Sequence, residues 1–342
     1  MSRGRKRDAD DEEAVVGKRR RAAAGAPWLD DESGERSLDE EVRLFAAWAR
    51  LSGDERRARR ALERRVGAVA RDLWPQSTCE TFGSSASGMD WFESDLDLRV
   101  AVREPMTYLS PPRACVELLE ALHETEWALR VEARPHARVP IVVFHDSRTG
   151  VDVDVAFSEG DDDDDDAAAA APLRRFEPRY PADQRDLMLL LKAWLRERDL
   201  DKPFTGGLGS FRCGVLLDDF LKRFHSAPDD FPDGKLLGFL DFCATSFNFH
   251  RDSIVLRHGG RAAKVAFGGV DASRLRRACL GALQGPRALA AWLDVPGLEA
   301  SRDAKRAKAR ALCATVLRGA AIPPPASYEP VAPYEPDLFG RD

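Results

Sequence analysis

Phe82-Gly-Ser-Ser-Ala-Ser-Gly88, followed by Ser94-Asp-Leu-Asp-Leu98, is the stretch whose reading decides the fold. Asp95 and Asp97 alternate with Leu96 and Leu98, the period-2 pattern of a half-buried strand. On such a strand both carboxylates point to one face, about 6.6 Å apart. The Gly83-Ser84 pair upstream reads as a tight turn feeding a helix N-terminus, where backbone N–H groups and a hydroxyl suit phosphate oxygens. Downstream, Val151-Asp-Val-Asp-Val-Ala-Phe157 is a second alternating strand that puts Asp152 and Asp154 on a common face. Three carboxylates converging on one sheet face repel strongly unless cations neutralise them. Magnesium, or manganese in its place, is the cation this donor set predicts, because it prefers carboxylate and phosphate oxygens. Two such ions about 3.5–4 Å apart stabilise both the attacking and the leaving oxygen of an in-line displacement.

The flanking sequence predicts a small mixed sheet with helices around it. Ser37-Leu-Asp-Glu40 and Ser52-Gly-Asp-Glu55 are capping boxes, each opening a helix with an apolar stripe. Trp74-Pro75 ends the second of these helices. Strands are predicted at 78–82, 96–100, 131–133, 139–144 and 151–157, with a helix over 114–122. After Asp183 the pattern turns helical, with Leu187, Leu190, Leu191, Trp194 and Leu195 forming one stripe. The reading is therefore an α/β (α+β) domain over 55–160 with a small mixed β-sheet, then a mainly α-helical domain over 172–319. A helix at 37–54 packs on the helical domain. Residues 161–171, six Asp then five Ala, form a low-complexity spacer whose carboxylates stay solvated. A Pro-rich tail occupies 320–342.

Composition narrows the surroundings. Hydrophobic residues make up 44% of the 342 residues and charged residues 32%, enough for a packed core in water. The net charge of −6 comes from the acidic run at 161–166, without which acids and bases balance. Charge alone therefore says little about a polyanionic partner. No run of about 18 apolar residues occurs and the N-terminus is basic, so neither a membrane span nor a secretory signal is predicted. The six cysteines form no C-x-x-C pair, which predicts reduced thiols rather than a zinc site. Residues 1–36 are polar and predicted to be disordered. They carry the basic runs RGRKR at 3–7 and KRRR at 18–21, spaced like a bipartite nuclear import signal.

These residues resemble the noncanonical poly(A) polymerase and terminal uridylyltransferase family, within the DNA-polymerase-β-type nucleotidyltransferases, and its nuclear branch above all. The family order G-S, a short segment, then S-D-I/L-D-L/I is met by Gly83-Ser84 and by Ser94 to Leu98. Its third acid follows a V-P-I segment, here Val139-Pro-Ile-Val-Val143, then Gly150 and Val153-Asp-Val-Ala-Phe157. That register implies Asp154 rather than Asp152 as third metal ligand and as acceptor of a 3′-hydroxyl proton. In the helical region the resemblance implies Lys192 on the triphosphate, with Arg196 four residues on assisting from the same helix face. Phe204-Thr-Gly-Gly-Leu-Gly-Ser-Phe211 is close to the branch signature F-T-G-G-I/L-S/G-S-Y/F, which implies Ser210 on phosphate and Phe211 stacked on the incoming base.

The resemblance implies a central PAP-associated domain for the helical half and template-independent addition of nucleotides to an RNA 3′ end. ATP is the nucleotide it favours. UTP addition, or a scaffold that keeps the fold and binds RNA, are the alternatives. The family's base-reading loop is not legible here; the nearest stretch is 293–303. No RRM, KH or zinc-knuckle signature is present, which implies weak RNA affinity and an RNA-binding protein partner. The expected location is nuclear, with the cytoplasm as a further possibility.

Overall fold

In a computed structural model, residues 26–27, 36–102, 110–137, 139–159, 181–224, 234–258 and 261–317 are described. Nearly all of the predicted N-terminal tail with its basic runs, the Asp/Ala spacer and the Pro-rich tail lie outside them.

Both capping boxes form. Helices α1 (Leu38–Ala49) and α2 (Gly53–Leu73) start at Ser37 and Ser52, whose hydroxyls accept from the backbone N–H of Glu40 and Glu55. The glutamates return the bond to the Ser37 and Ser52 N–H at 3.0 and 2.6 Å. Two otherwise orphaned donors per helix are thereby satisfied, each cap contributing about 1 kcal/mol.

The sheet is built from β1 (Thr78–Thr81), β2 (Leu96–Val102), β3 (Ala128–Arg134), β4 (Ile141–Asp146) and β5 (Val151–Glu159). Its spatial order is β1-β2-β5-β4-β3, with β2 and β5 parallel and the other pairs antiparallel. A short helix α3 (Gly83–Ser87) precedes β2, and α4 (Pro111–His123) crosses behind the sheet. Leu96, Leu98, Val100, Val153 and Val155 bury one face against Leu62 and Val66 of α2 and Leu118 and Leu122 of α4. Strand alternation then leaves Asp97 and Asp154 on the opposite face.

A second core is mainly helical. It takes in α5 (Pro181–Arg196), a 3₁₀ turn at Pro203–Thr205, α6 (Ser210–Arg223) and α7 (Lys235–Asp241), which runs into a π-helical turn at Phe242–Ser246. Then come α8 (Ala272–Gln284), the short α9 (Leu289–Trp292) and α10 (Val295–Leu317). Phe45, Ala46 and Ala49 of α1 are buried in this core, as are Trp91 and Phe92 from the loop before β2. Edge-to-face rings tie its far end, with Phe247 at 4.9 Å from both Phe249 and Phe267.

Two sequence expectations are corrected. The helical half also holds an antiparallel hairpin, β6 (Ser253–His258) with β7 (Arg261–Ala266), whose Ile254, Leu256 and Val265 join the core. Its alternation was legible in principle, but each strand is only six residues long. Asp95 stands just before β2 rather than on it, because the loop preceding it is held by side chains from elsewhere. The 293–303 stretch, where no base-reading loop is legible, is helical from Val295. It runs into α10, where Val295 and Leu298 are buried and Arg302 is 1% exposed.

The turn joining β4 to β5 decides where Asp154 stands, and one buried ion pair holds it. Asp146 is fully buried and accepts from both terminal nitrogens of Arg65 at 3.1 and 3.0 Å and from the Thr149 N–H at 2.9 Å. The Arg65 guanidinium also lies over the Trp127 ring at 4.7 Å. Removing one partner strands a buried charge, so Asp146→Ala is expected to destabilise the protein by about 3–5 kcal/mol. Urea denaturation checks this; a loss below about 1 kcal/mol would mean that the pair behaves as a surface contact.

Candidate active site

Register places the acids. In the parallel pair β2–β5, Asp97 stands directly opposite Asp154. Parallel neighbours in register project to the same face about 4.8 Å apart, so these two carboxylates are forced together. Asp95 and Asp152, two residues earlier on each chain, extend the same row toward the sheet end. Asp152 lines the same cavity, but one of its oxygens lies 2.7 Å from Nδ1 of His145 on β4, and its side chain is 63% exposed. Register sets Asp154, not Asp152, directly opposite Asp97.

The electrostatics follow. Burial, then the charges of Asp154 and Asp95, push the Asp97 carboxyl up to about 7. Burial and the Asp95 charge push Asp154 up to about 6, with Arg134 opposing. Asp95 reaches solvent through the mouth of the site, yet the surrounding protein and Asp152 raise its pKa as well. Three carboxylates that each resist ionisation beside the others form a donor set that fits a divalent cation. Among the described residues no three acidic, His or Cys side chains are already gathered around a single point. Magnesium keeps waters and takes phosphate oxygens, so a complete protein cage is not required.

These acids line a cavity of about 820 Å³. Each residue singled out from sequence reaches it: Gly83, Ser84, Asp95, Asp97, Asp154, Lys192, Arg196, Ser210 and Phe211. Gly83 has φ +60, and a Cβ there would stand 2.7 Å from Oδ2 of Asp97, so both backbone angle and space demand glycine. Ser210 is the first residue of α6, behind Gly209 at φ +70. Phe211 is 38% exposed on the cavity wall.

Lys192 is more deeply placed than a triphosphate contact on an open helix face would be. Its ammonium donates to the Met89 carbonyl at 3.1 Å and to Ser94 Oγ at 2.9 Å, and burial pulls its pKa down to about 8. Two of its three donors are thus engaged, leaving one for a ligand. Arg196 donates to the Glu93 carbonyl at 3.0 Å and pairs with the Glu93 carboxylate at 3.1 Å.

Sequence reasoning missed how many cations grip this loop. Arg59 of α2 donates to the carbonyls of Trp91, Ser94 and Asp95, the last at 3.2 Å. Lys305 of α10 donates to the Phe92 carbonyl and the Glu93 carboxylate, each at 3.1 Å, and Ser301 also donates to Glu93. Arg302 donates to the Ala49 and Arg50 carbonyls at 3.2 and 2.9 Å and lies over the Trp48 and Phe92 rings. Helices from both cores therefore fix the segment that presents Asp95. No local motif could have shown this, since the partners lie far apart along the chain. Arg130 and Arg134 of β3 also line the cavity and were not singled out.

Comparison with known proteins finds similarity to nucleotide polymerases of this fold. A family model described as "Poly(A) RNA polymerase, mitochondrial-like, central palm domain" matches residues 38–160. "Poly(A) RNA polymerase CID14" of Cryptococcus neoformans is 24% identical over 229 residues, covering 65% of this chain and 29% of its own length. The chain spans about a third of the length of the curated relatives it matches. Among solved structures, the polymerase core of TRAMP, an RNA surveillance complex, superposes with a TM-score of 0.57 at 23% identity, covering 85% of this chain and 92% of that one. The Cid1 poly(U) polymerase bound to Mg and 3′-dATP gives 0.57 at 17% identity, covering 72% and 93%.

The raised carboxyls predict a measurable sign. Asp97 titrates at about 7 in the folded state against an ordinary 3.8. The folded state binds the extra proton between these values, so stability falls as pH rises through that window. In metal-free buffer at pH 8, Asp97→Asn is expected to raise the melting temperature by several degrees. The gain should shrink toward pH 5 as the wild-type carboxyl protonates. Scanning fluorimetry across pH tests this; a variant less stable than wild type at pH 8 would contradict it.

Proposed function

We propose, on the premise of this resemblance to the noncanonical poly(A) polymerases and terminal uridylyltransferases, that the chain adds nucleotides to RNA 3′ ends without a template. The observation that carries the reading is the in-register pairing of Asp97 with Asp154, with Asp95 beside them, on the floor of a cavity that Ser84, Lys192 and Ser210 also line. The catalytic domain is taken as 55–160 and the helical central domain as 172–319.

The reaction is attack of an RNA 3′-hydroxyl on the α-phosphate of a nucleoside triphosphate, with pyrophosphate leaving. Asp95, Asp97 and Asp154 would hold two divalent cations, Mg²⁺ or Mn²⁺, which neutralise charge on the attacking and leaving oxygens. Asp154 is the acid proposed to accept the 3′-hydroxyl proton. The free N–H of Lys192 and the Ser84 and Ser210 hydroxyls supply donors to the triphosphate. Arg196 adds positive charge at the same wall, and Phe211 offers its face to the incoming base. Positioning and charge neutralisation carry the rate, with no covalent intermediate.

ATP is the proposed nucleotide, supported by relatives whose printed name is poly(A) RNA polymerase. The basic runs at 3–7 and 18–21 support nuclear import. With no recognisable RNA-binding module in the sequence, an RNA-binding protein partner is proposed to supply substrate affinity.

Extension of a labelled RNA with each of the four nucleoside triphosphates tests the whole reading. AMP addition in Mg²⁺ or Mn²⁺ is expected. Preference for UTP would overturn the base assignment, and failure with all four in the presence of the partner would overturn the activity. Asp95→Ala, Asp97→Ala and Asp154→Ala should each lower the rate by more than about a hundredfold. Asp152→Ala should retain activity, because Asp154 and not Asp152 stands opposite Asp97; loss there with retention in Asp154→Ala would reverse the assignment of the third acid.

A further inference from the structure

We propose that Phe204 is a stacking platform for a base of the acceptor RNA, just upstream of the reacting 3′ nucleotide. The proposal rests on the nucleotidyltransferase reading and extends it to the strand being lengthened. Phe204 is 80% exposed, the most exposed of the large apolar side chains among the described residues, and it lines the same cavity as the three acids. A phenyl ring in water on a soft loop would mean little. This loop is tight. The Gly207 and Thr205 N–H groups donate to the Lys202 carbonyl at 2.8 and 3.2 Å, and Leu208 N–H donates to the Leu200 carbonyl at 2.8 Å. The Asp271 N–H clamps the turn from outside, donating to the Gly206 carbonyl at 2.8 Å. A Cβ on Gly207 would stand 2.5 Å from the Leu200 oxygen, and one on Gly209 would stand 2.7 Å from Cγ of Pro203. The fold thus excludes side chains at two positions to hold a turn that keeps an apolar ring in solvent.

The surroundings name the occupant. Lys202, next to Phe204, lines the cavity, and Arg130 and Arg134 of β3 line it too. Arg130 adopts a left-handed φ of +53 where the β3–β4 register shifts, an irregularity that re-aims a side chain. Besides the three acids of the site, Glu93, Glu132, Asp152 and Asp201 line the cavity; Glu93 is paired with Arg196 and Lys305, Asp152 lies against His145, and Glu132 is 3.8 Å from Arg134. An exposed aromatic face in a cavity that positive side chains also line fits single-stranded nucleic acid, because every base has a π face and every linkage carries a phosphate. A helical peptide would need a row of apolar side chains at helical spacing, which this rim lacks. The incoming nucleotide already has a ring proposed for it in Phe211, which follows Ser210 and is 38% exposed. A strand whose 3′ end reaches Asp154 has to leave the cavity past its solvent-exposed lining, of which Phe204 is the most exposed large apolar residue.

The test uses the full chain and short RNAs carrying 2-aminopurine at one of the last few positions. Quenching is expected at one position upstream of the 3′ end, lost in Phe204→Ala and kept in Phe204→Trp. In tailing assays Phe204→Ala should raise the KM for RNA roughly tenfold, the scale of one base–aromatic stack, with the KM for ATP unmoved. A rise in the KM for ATP instead would assign the ring to the incoming base. No change in either constant, or quenching unaffected by Phe204→Ala, overturns the proposal. Fluorescence reads RNA placement without turnover, so a wild-type chain that quenches yet adds nothing would fail the activity and leave the platform standing.

Discussion

The carboxylates of Asp97 and Asp154 are pressed side by side by the register of a parallel strand pair, and the repulsion between them is the constraint on which the rest of the structure depends. A sheet does not place like charges together on a buried face without a compensating purpose. Burial and the charge of neighbouring carboxylates raise both carboxyls into the range where protons and cations compete for them. The other features of the site answer to that row of charge. Gly83 leaves room beside Asp97, and Asp152 is diverted onto His145.

The second demand of such a row is that Asp95, standing outside the ladder, be held as firmly as the acids within it. The loop before β2 has no strand partners to define it, so its carbonyls are satisfied by cations instead. Arg59 reaches it from α2, Lys192 and Arg196 from α5, and Lys305 from α10. Each bond spends a charged donor on a backbone carbonyl or on Glu93, and together they join the sheet core to the helical core across the cavity. The arrangement couples the two cores at the site. Anything that separates them also loosens Asp95.

Much of this was legible in the linear chain. The capping boxes named the starts of α1 and α2 because their physics is local to four residues. The D-L-D-L and D-V-D alternations named the strands and the face the acids share, because the period of two is a property of the extended backbone. The hairpin β6–β7 was missed because two six-residue strands in a helical stretch leave a weak signal. The third acid was ambiguous for a similar reason, since alternation treats Asp152 and Asp154 alike.

By itself, then, the sequence determined the local periodicities, the caps, the glycine before Asp97 and the identity of the acids available to the site. Only the tertiary structure decided that Asp154 faces Asp97, that Lys192 and Arg196 grip the loop as well as lining the cavity, and that Phe204 stands in water at its mouth. The physical reason is range. Backbone alternation and capping act over a few residues and can be read along the chain. Strand register, ion pairing between distant helices and exposure depend on what the fold brings alongside.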